Sequence, residues 1–163
     1  MSDEQPRSSA EPPVPPDHSA PGRAVKVIGV TVAVIGLVFT VAGVLTYVMV
    51  GSTLADERIT VSPDASHFAG DKVDGPFTAY VQADTIAKHA EEIAEGKTYA
   101  ELPQDDPRRD TVMTASFLRA SLFTSVVAFG VAALVAVLGL VLVVVGWSLR
   151  RLGSTLDAGA PDR

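Results

Sequence analysis

The chain has 163 residues, 47% of them hydrophobic and 20% charged, with a formal net charge of −6 and no cysteine. The lack of cysteine excludes disulfide scaffolds, thiolate-bound zinc, iron–sulfur clusters and cysteine nucleophiles, and the acidic balance argues against nucleic acid as a partner. So large an apolar share beside so many charges implies segregation, with apolar blocks in lipid and charged blocks in water.

Residues 1–22 carry Pro6, Pro12, Pro13, Pro15, Pro16 and Pro21 among serines and charges. Such a composition buries too little apolar surface to offset the entropy of ordering, and it predicts a disordered, Pro-rich cytoplasmic tail with polyproline II character. The run Pro12-Pro13-Val14-Pro15-Pro16 has the composition that docks into aromatic grooves, and a solvated tail is the simpler reading.

No charge occurs from Val27 to Ala55. Its core, residues 27–50, is long enough at about 1.5 Å per residue to cross a hydrocarbon layer of ~30 Å, and predicts a first transmembrane helix. The run exceeds the ~7–15 residues of a signal-peptide core, so despite Thr53-Leu54-Ala55 it reads as an uncleaved anchor. A second uncharged run, residues 120–149, lies between Arg119 and Arg150 and predicts the second span. Both runs are rich in valine, which lipid tolerates in helices because an unpaired peptide group there costs several kcal/mol.

Arg23 and Lys26 precede the first span, and Arg150 and Arg151 follow the second. By the positive-inside rule both termini are expected in the cytoplasm, with residues 150–163 a short cytoplasmic tail and residues 56–119 outside. That loop carries acidic over basic residues by 13 to 7, but Arg108, Arg109 and Arg119 stand near the second span and weigh against this orientation. Tyr47 and Trp147 lie near span ends, where amphipathic rings favour the lipid–water boundary.

Within the loop, Glu57–Val61 and Phe77–Val81 have strand composition, with turn signals at Ser62-Pro63-Asp64 and Asp74-Gly75-Pro76. Asp84 or Thr85 is a candidate cap for a helix through Glu95, which Gly96 would end. Thr98 and Glu101 fit a capping box, and Asp106-Pro107 fits the start of a further helix with nothing to break it before the second span. The predicted architecture is therefore a membrane α protein, a two-helix transmembrane hairpin with a small α+β extracytoplasmic loop domain.

Both spans carry a stripe of small residues. Gly29, Gly36 and Gly43 recur every seven residues with Ala33 and Thr40 between them, and Ser125, Ala132, Gly139 and Gly146 repeat the pattern in the second span. Small side chains let helix backbones approach, and in lipid that contact takes the place of the hydrophobic drive. The stripes suit pairing within one hairpin, a homo-oligomer or docking to another membrane protein.

The segments His67–Gly70, Val73–Tyr80, Gly96–Leu102 and Ala115–Val131 resemble an actinobacterial family of small two-span membrane proteins, and the likeness extends from the first span to Leu152. Thr114 departs from the asparagine expected of many members. The family is often labelled an aromatic ring-opening dioxygenase, which implies a non-haem iron held by two histidines and a carboxylate. The chain has His18 in the tail and His67 and His89 in the loop, the latter two beside Asp64, Asp71, Glu91 and Glu92. No short ligand spacing joins them, so the residues themselves read as exposed loop histidines, and neither a catalytic residue nor a cofactor is assigned. Neither span contains an Asp, Glu, Lys, Arg or His, which argues against an autonomous pump. The expected function is that of a non-catalytic accessory or structural membrane component; the alternatives are an extracytoplasmic binding or sensing module and, as the resemblance implies, a metal-dependent aromatic ring-opening dioxygenase.

Overall fold

A computed structural model describes residues 20–158, and among them the chain is helical. Helix α1 spans Ala20–Asp56, α2 spans Pro76–Ile93 and α3 spans Arg109–Ala158. The polyproline motif and His18 lie outside the described residues.

At 50 residues α3 is the spine of the molecule, about 75 Å long at 1.5 Å per residue. Its C-terminal part lies antiparallel to α1, with Gly29 against Gly146 and Gly43 against Ala132. Its N-terminal part lies antiparallel to α2, from Tyr80 against Phe123 to Ala94 beside Val112. The helix predicted to start at Asp106-Pro107 and run unbroken into the second apolar segment is thus present, and it continues through the expected tail to Ala158.

Helices α1 and α3 are long and apolar enough to cross a membrane, and only 17% of the most apolar window of each is buried. A core helix of a soluble protein would bury most of that surface. Here Leu37, Val38, Leu45, Val48, Leu134 and Val137 are more than half exposed, pointing away from the partner helix.

The expected α+β character of residues 56–119 is not found. No strand forms among the described residues, and the β contribution is one isolated bridge, Thr60 to Lys72, flanked by the bonds Val61 N to Asp71 O and Val73 N to Ile59 O. The segment Phe77–Val81 is the opening of α2, because Gly75 supplies an extended N-cap and Pro76 stands at the first turn, where its missing N–H costs nothing. Thr78 Oγ1 lies 3.3 Å from Gly75 N, tying the side chain back to the cap. Ala79 and Ala83, four apart, are fully buried against α3 and the loop, so packing at helical period overrides the strand propensity. Asp84 and Thr85 are accordingly interior to α2 and do not cap it.

Gly96 does end α2, as expected, with Glu95 and Gly96 both left-handed at φ 54° and 80°. Gly96 N–H donates to Glu91 O at 2.9 Å, closing the last turn. Thr98 and Glu101 form their capping pair, with Thr98 N–H donating to Glu101 Oε2 at 2.7 Å.

Two small cores hold the head. Val61, Val73, Ala79 and Ala83 pack with Leu54 of α1 and Leu122 and Phe129 of α3. Ala94 and Leu102 pack on Val112, beneath Tyr99. Arg109 pins this second cluster, donating to Tyr99 O at 3.1 Å and Leu102 O at 2.6 Å while its guanidinium lies 4.0 Å from the Tyr99 ring centre. Asp106 accepts from Arg108 N–H at 2.9 Å and from its guanidinium at 3.0 and 2.8 Å, which holds the Asp106 carboxyl down at about 2.

A carboxyl whose folded pKa lies below its ordinary 3.8 contributes stability that is complete above that value and is lost as pH falls toward about 2. Asp106→Asn is therefore expected to lower the thermal midpoint at pH 6 and to flatten the loss of stability between about pH 4 and pH 2. Coincident pH profiles for the two proteins would show that the carboxylate adds nothing.

Candidate functional site

The seam between α1 and α3 is built from glycine outward. A β-carbon added at Gly36 would lie 2.6 Å from both Gly139 O and Val143 N. One at Gly29 would lie 2.7 Å from Gly146 O and Arg150 N, and one at Gly43 would lie 2.5 Å from Ala136 N. From the other side, a β-carbon at Gly146 would lie 2.5 Å from Ala33 N. These neighbours are backbone atoms of a helix and cannot move aside. Thr40 Oγ1 donates to Gly36 O at 2.9 Å and lies 3.5 Å from Ala136 O, so a hydroxyl replaces a hydrocarbon group in the same contact.

The structure thus brings Gly29, Ala33, Gly36, Thr40 and Gly43 against Ala132, Gly139 and Gly146. The stripes meet each other inside one chain. Ser125 stands apart from the close contact. Next to the seam's outer end Phe129, 1% exposed, fills the space between the helices with its ring 4.8 Å from that of Tyr47. Beyond this wedge Ser125 lines an open cleft instead of touching α1 backbone.

Two seam glycines escaped the sequence reading. Gly22 and Gly153 are buried against each other's turn, and a β-carbon at Gly153 would lie 2.8 Å from Gly22 O. Their signal was the same seven-residue period, one step beyond the charges taken as span limits. There Lys26 Nζ meets Asp157 Oδ2 at 2.6 Å, a half-exposed pair. Arg151 lies over the Trp147 ring at 3.8 Å. Arg23, Lys26, Arg150 and Arg151 thus gather at one end of the hairpin.

The loop histidines occupy separate surroundings. His67 Nδ1 lies 3.0 Å from Ser66 Oγ, and its ring tilts against Phe68. His89 Nε2 lies 2.5 Å from Asp64 Oδ2, and this hydrogen bond is the main reason the Asp64 carboxyl sits below its ordinary value. Among the described residues no three His, Cys, Asp or Glu side chains stand together to hold a metal ion. Several clefts flank the head, and two of them bear on the site. One, of about 510 Å³ between α2 and α3, mixes Asp84 and Glu91 with Lys88, Lys97 and Arg119. The other, of about 650 Å³, opens where α1 and α3 diverge above Phe129.

Comparison with family models, curated proteins and solved structures finds no match for this chain.

The seam makes a sharp contrast between glycines of one helix pair. Gly36→Ala forces two backbones apart and is expected to cost about 1–3 kcal/mol, as in overpacked cores. Gly130, with nothing within 4 Å of an added β-carbon, is the control. Gly130→Ala should be neutral or stabilising by up to about 1 kcal/mol through helix propensity. Thermal unfolding in detergent distinguishes them, and equal midpoints for the two variants would reduce the seam to composition.

Proposed function

We propose that the chain is a two-span membrane accessory protein, a clamped helix pair in the bilayer that carries a small helical head on the extracytoplasmic side. The observation that carries this reading is the contrast between the inner and outer faces of α1 and α3. Their inner faces close on each other at backbone contact, and their outer faces leave Leu37, Val38, Leu45, Leu134 and Val137 exposed along the apolar length. An apolar surface of this extent needs lipid or protein around it. The lipid bilayer covers most of it, and another membrane protein or a second copy takes the rest. Because the small-residue stripes are occupied within the chain, docking falls to these outer faces and to the head, where Phe77 is 75% and Phe117 68% exposed.

The charges support placing both termini in the cytoplasm. Four cations gather where α1 begins and α3 ends. Of the cations that argued for the reverse, Arg108 is paired with Asp106 and Glu95, and Arg109 is bound to two carbonyls within the head. Both fold with the long loop, and loops beyond about 60 residues cross largely regardless of charge.

With no native cysteine, single substitutions report topology directly. Ser66→Cys should react with a membrane-impermeant thiol reagent in intact cells, and Ser154→Cys should react only after permeabilisation. The reverse pattern would overturn the orientation. An accessory role further requires a stoichiometric partner in native-detergent preparations or a discrete homo-oligomer. A lone monomer under those conditions would favour the binding-module reading.

A further inference from the structure

The cleft above Phe129 has an apolar floor of Met49, Leu54, Ile59, Ile86 and Leu122. It also contains one polar group that the fold leaves half used. Gln82 is only 7% exposed, and its Oε1 accepts from Ser62 N–H at 2.8 Å and lies 3.3 Å from Ser62 Oγ. A backbone N–H can only donate, so this contact fixes which end of the amide is oxygen. Nε2, the other end, has no hydrogen-bond partner among the described residues, and Gln82 lines the cleft. Among the described residues no buried side-chain nitrogen or oxygen lacks a partner, so this amide donor is not sealed off but reaches the open cleft, where an acceptor on a ligand can meet it.

The height of the cleft identifies that acceptor. It sits where the uncharged part of α1 gives way to Asp56 and Glu57, and Glu57 is among its lining residues. On the two-span reading, on which this inference rests, that is the boundary between hydrocarbon and headgroups. A glycerolipid there presents ester carbonyls, which accept and cannot donate, above a chain that needs an apolar bed. We infer that the cleft binds one acyl chain of a bilayer glycerolipid, with an ester carbonyl accepting from Gln82 Nε2. Glu57 and the acidic surplus of the head favour a zwitterionic headgroup over an anionic one.

The full chain is reconstituted in vesicles of diester phosphatidylcholine containing a trace of the same lipid with a photoactivatable acyl chain, and crosslinked peptides are mapped. Labelling is expected at Met49 and Thr53 above that at Val34 and Val141. Ser121→Trp fills the cleft from an exposed position, and Gln82→Glu keeps the acceptor for Ser62 while removing the donor. Each should reduce cleft labelling at least fivefold. Val141→Trp, on the outer face, should not. A diether probe, which lacks the carbonyls, should label the cleft several-fold less than the diester probe. Uniform labelling of cleft and outer faces, unmoved by either cleft variant and equal for both probes, would overturn the lipid site and leave the two-span reading intact. Absence of labelling from both the cleft and the outer faces would overturn the two-span reading and the site with it.

Discussion

At Gly36 and Gly139 two helix backbones meet with no room for a methyl group, and the placement of everything else follows from that contact. In water two apolar helices associate because burial removes surface from solvent. In lipid that drive is absent, and association rests on van der Waals contact at short range. Glycine and alanine maximise it by removing the side chains that would hold the backbones apart. The repeat of seven keeps such residues facing the partner for many turns, from Gly22 to Gly43 on one helix and from Ala132 to Gly153 on the other. Where the small residues stop, Phe129 enters and the helices part.

The head depends on the same geometry at one remove. Helix α2 packs on no independent scaffold. It lies on the first turns of α3, whose later turns form the seam. Leu54, Leu122 and Phe129 belong to the long helices and also to the core that holds Val61, Val73 and Ala83. The lower core of the head is therefore shared with the helix pair. This sharing explains how a loop of modest length holds a shape without disulfides, since the long helices supply one side of its core and the loop needs only to cover them.

The sequence displayed some of this plainly and hid the rest for identifiable reasons. Span length, the stop at Gly96 and the start at Asp106-Pro107 are local signals, set by hydropathy and by backbone conformations that few residues adopt. The glycine period was legible because a repeat survives without knowledge of the partner. Phe77–Val81 misled because its aromatic and β-branched residues suit strands, whereas the decisive facts were Pro76 at a helix start and the burial of Ala79 and Ala83 by α3, a tertiary effect. Gly22 and Gly153 lie past the flanking charges, and charge ends the apolar zone but not the helices. Ser125 kept the register of the stripe, but the bulk of Phe129 one turn along moved α1 out of its reach. Gln82 had no sequence signal at all. An amide with one end bound and one end free exists only once Ser62 and the cleft are in place.

A hairpin that uses its small residues on itself has a consequence for how it meets other molecules. A stripe open to a partner would make the helix pair an adaptable surface, closing on whichever helix offered a matching groove. A stripe closed internally leaves valine, leucine and phenylalanine outward, and such a face binds by shape over a broad area without a glycine's close approach. Specificity then has to come from elsewhere. The groups that can supply it are polar, among them Glu57 and Gln82, which line the cleft, and Arg119 over Phe123 at 5.4 Å. Since α3 runs without proline from the head to its last turn, a ligand or partner engaging those groups acts on an element continuous with the seam. On the proposed reading, recognition near the boundary and rigidity in the apolar zone would be two ends of one helix.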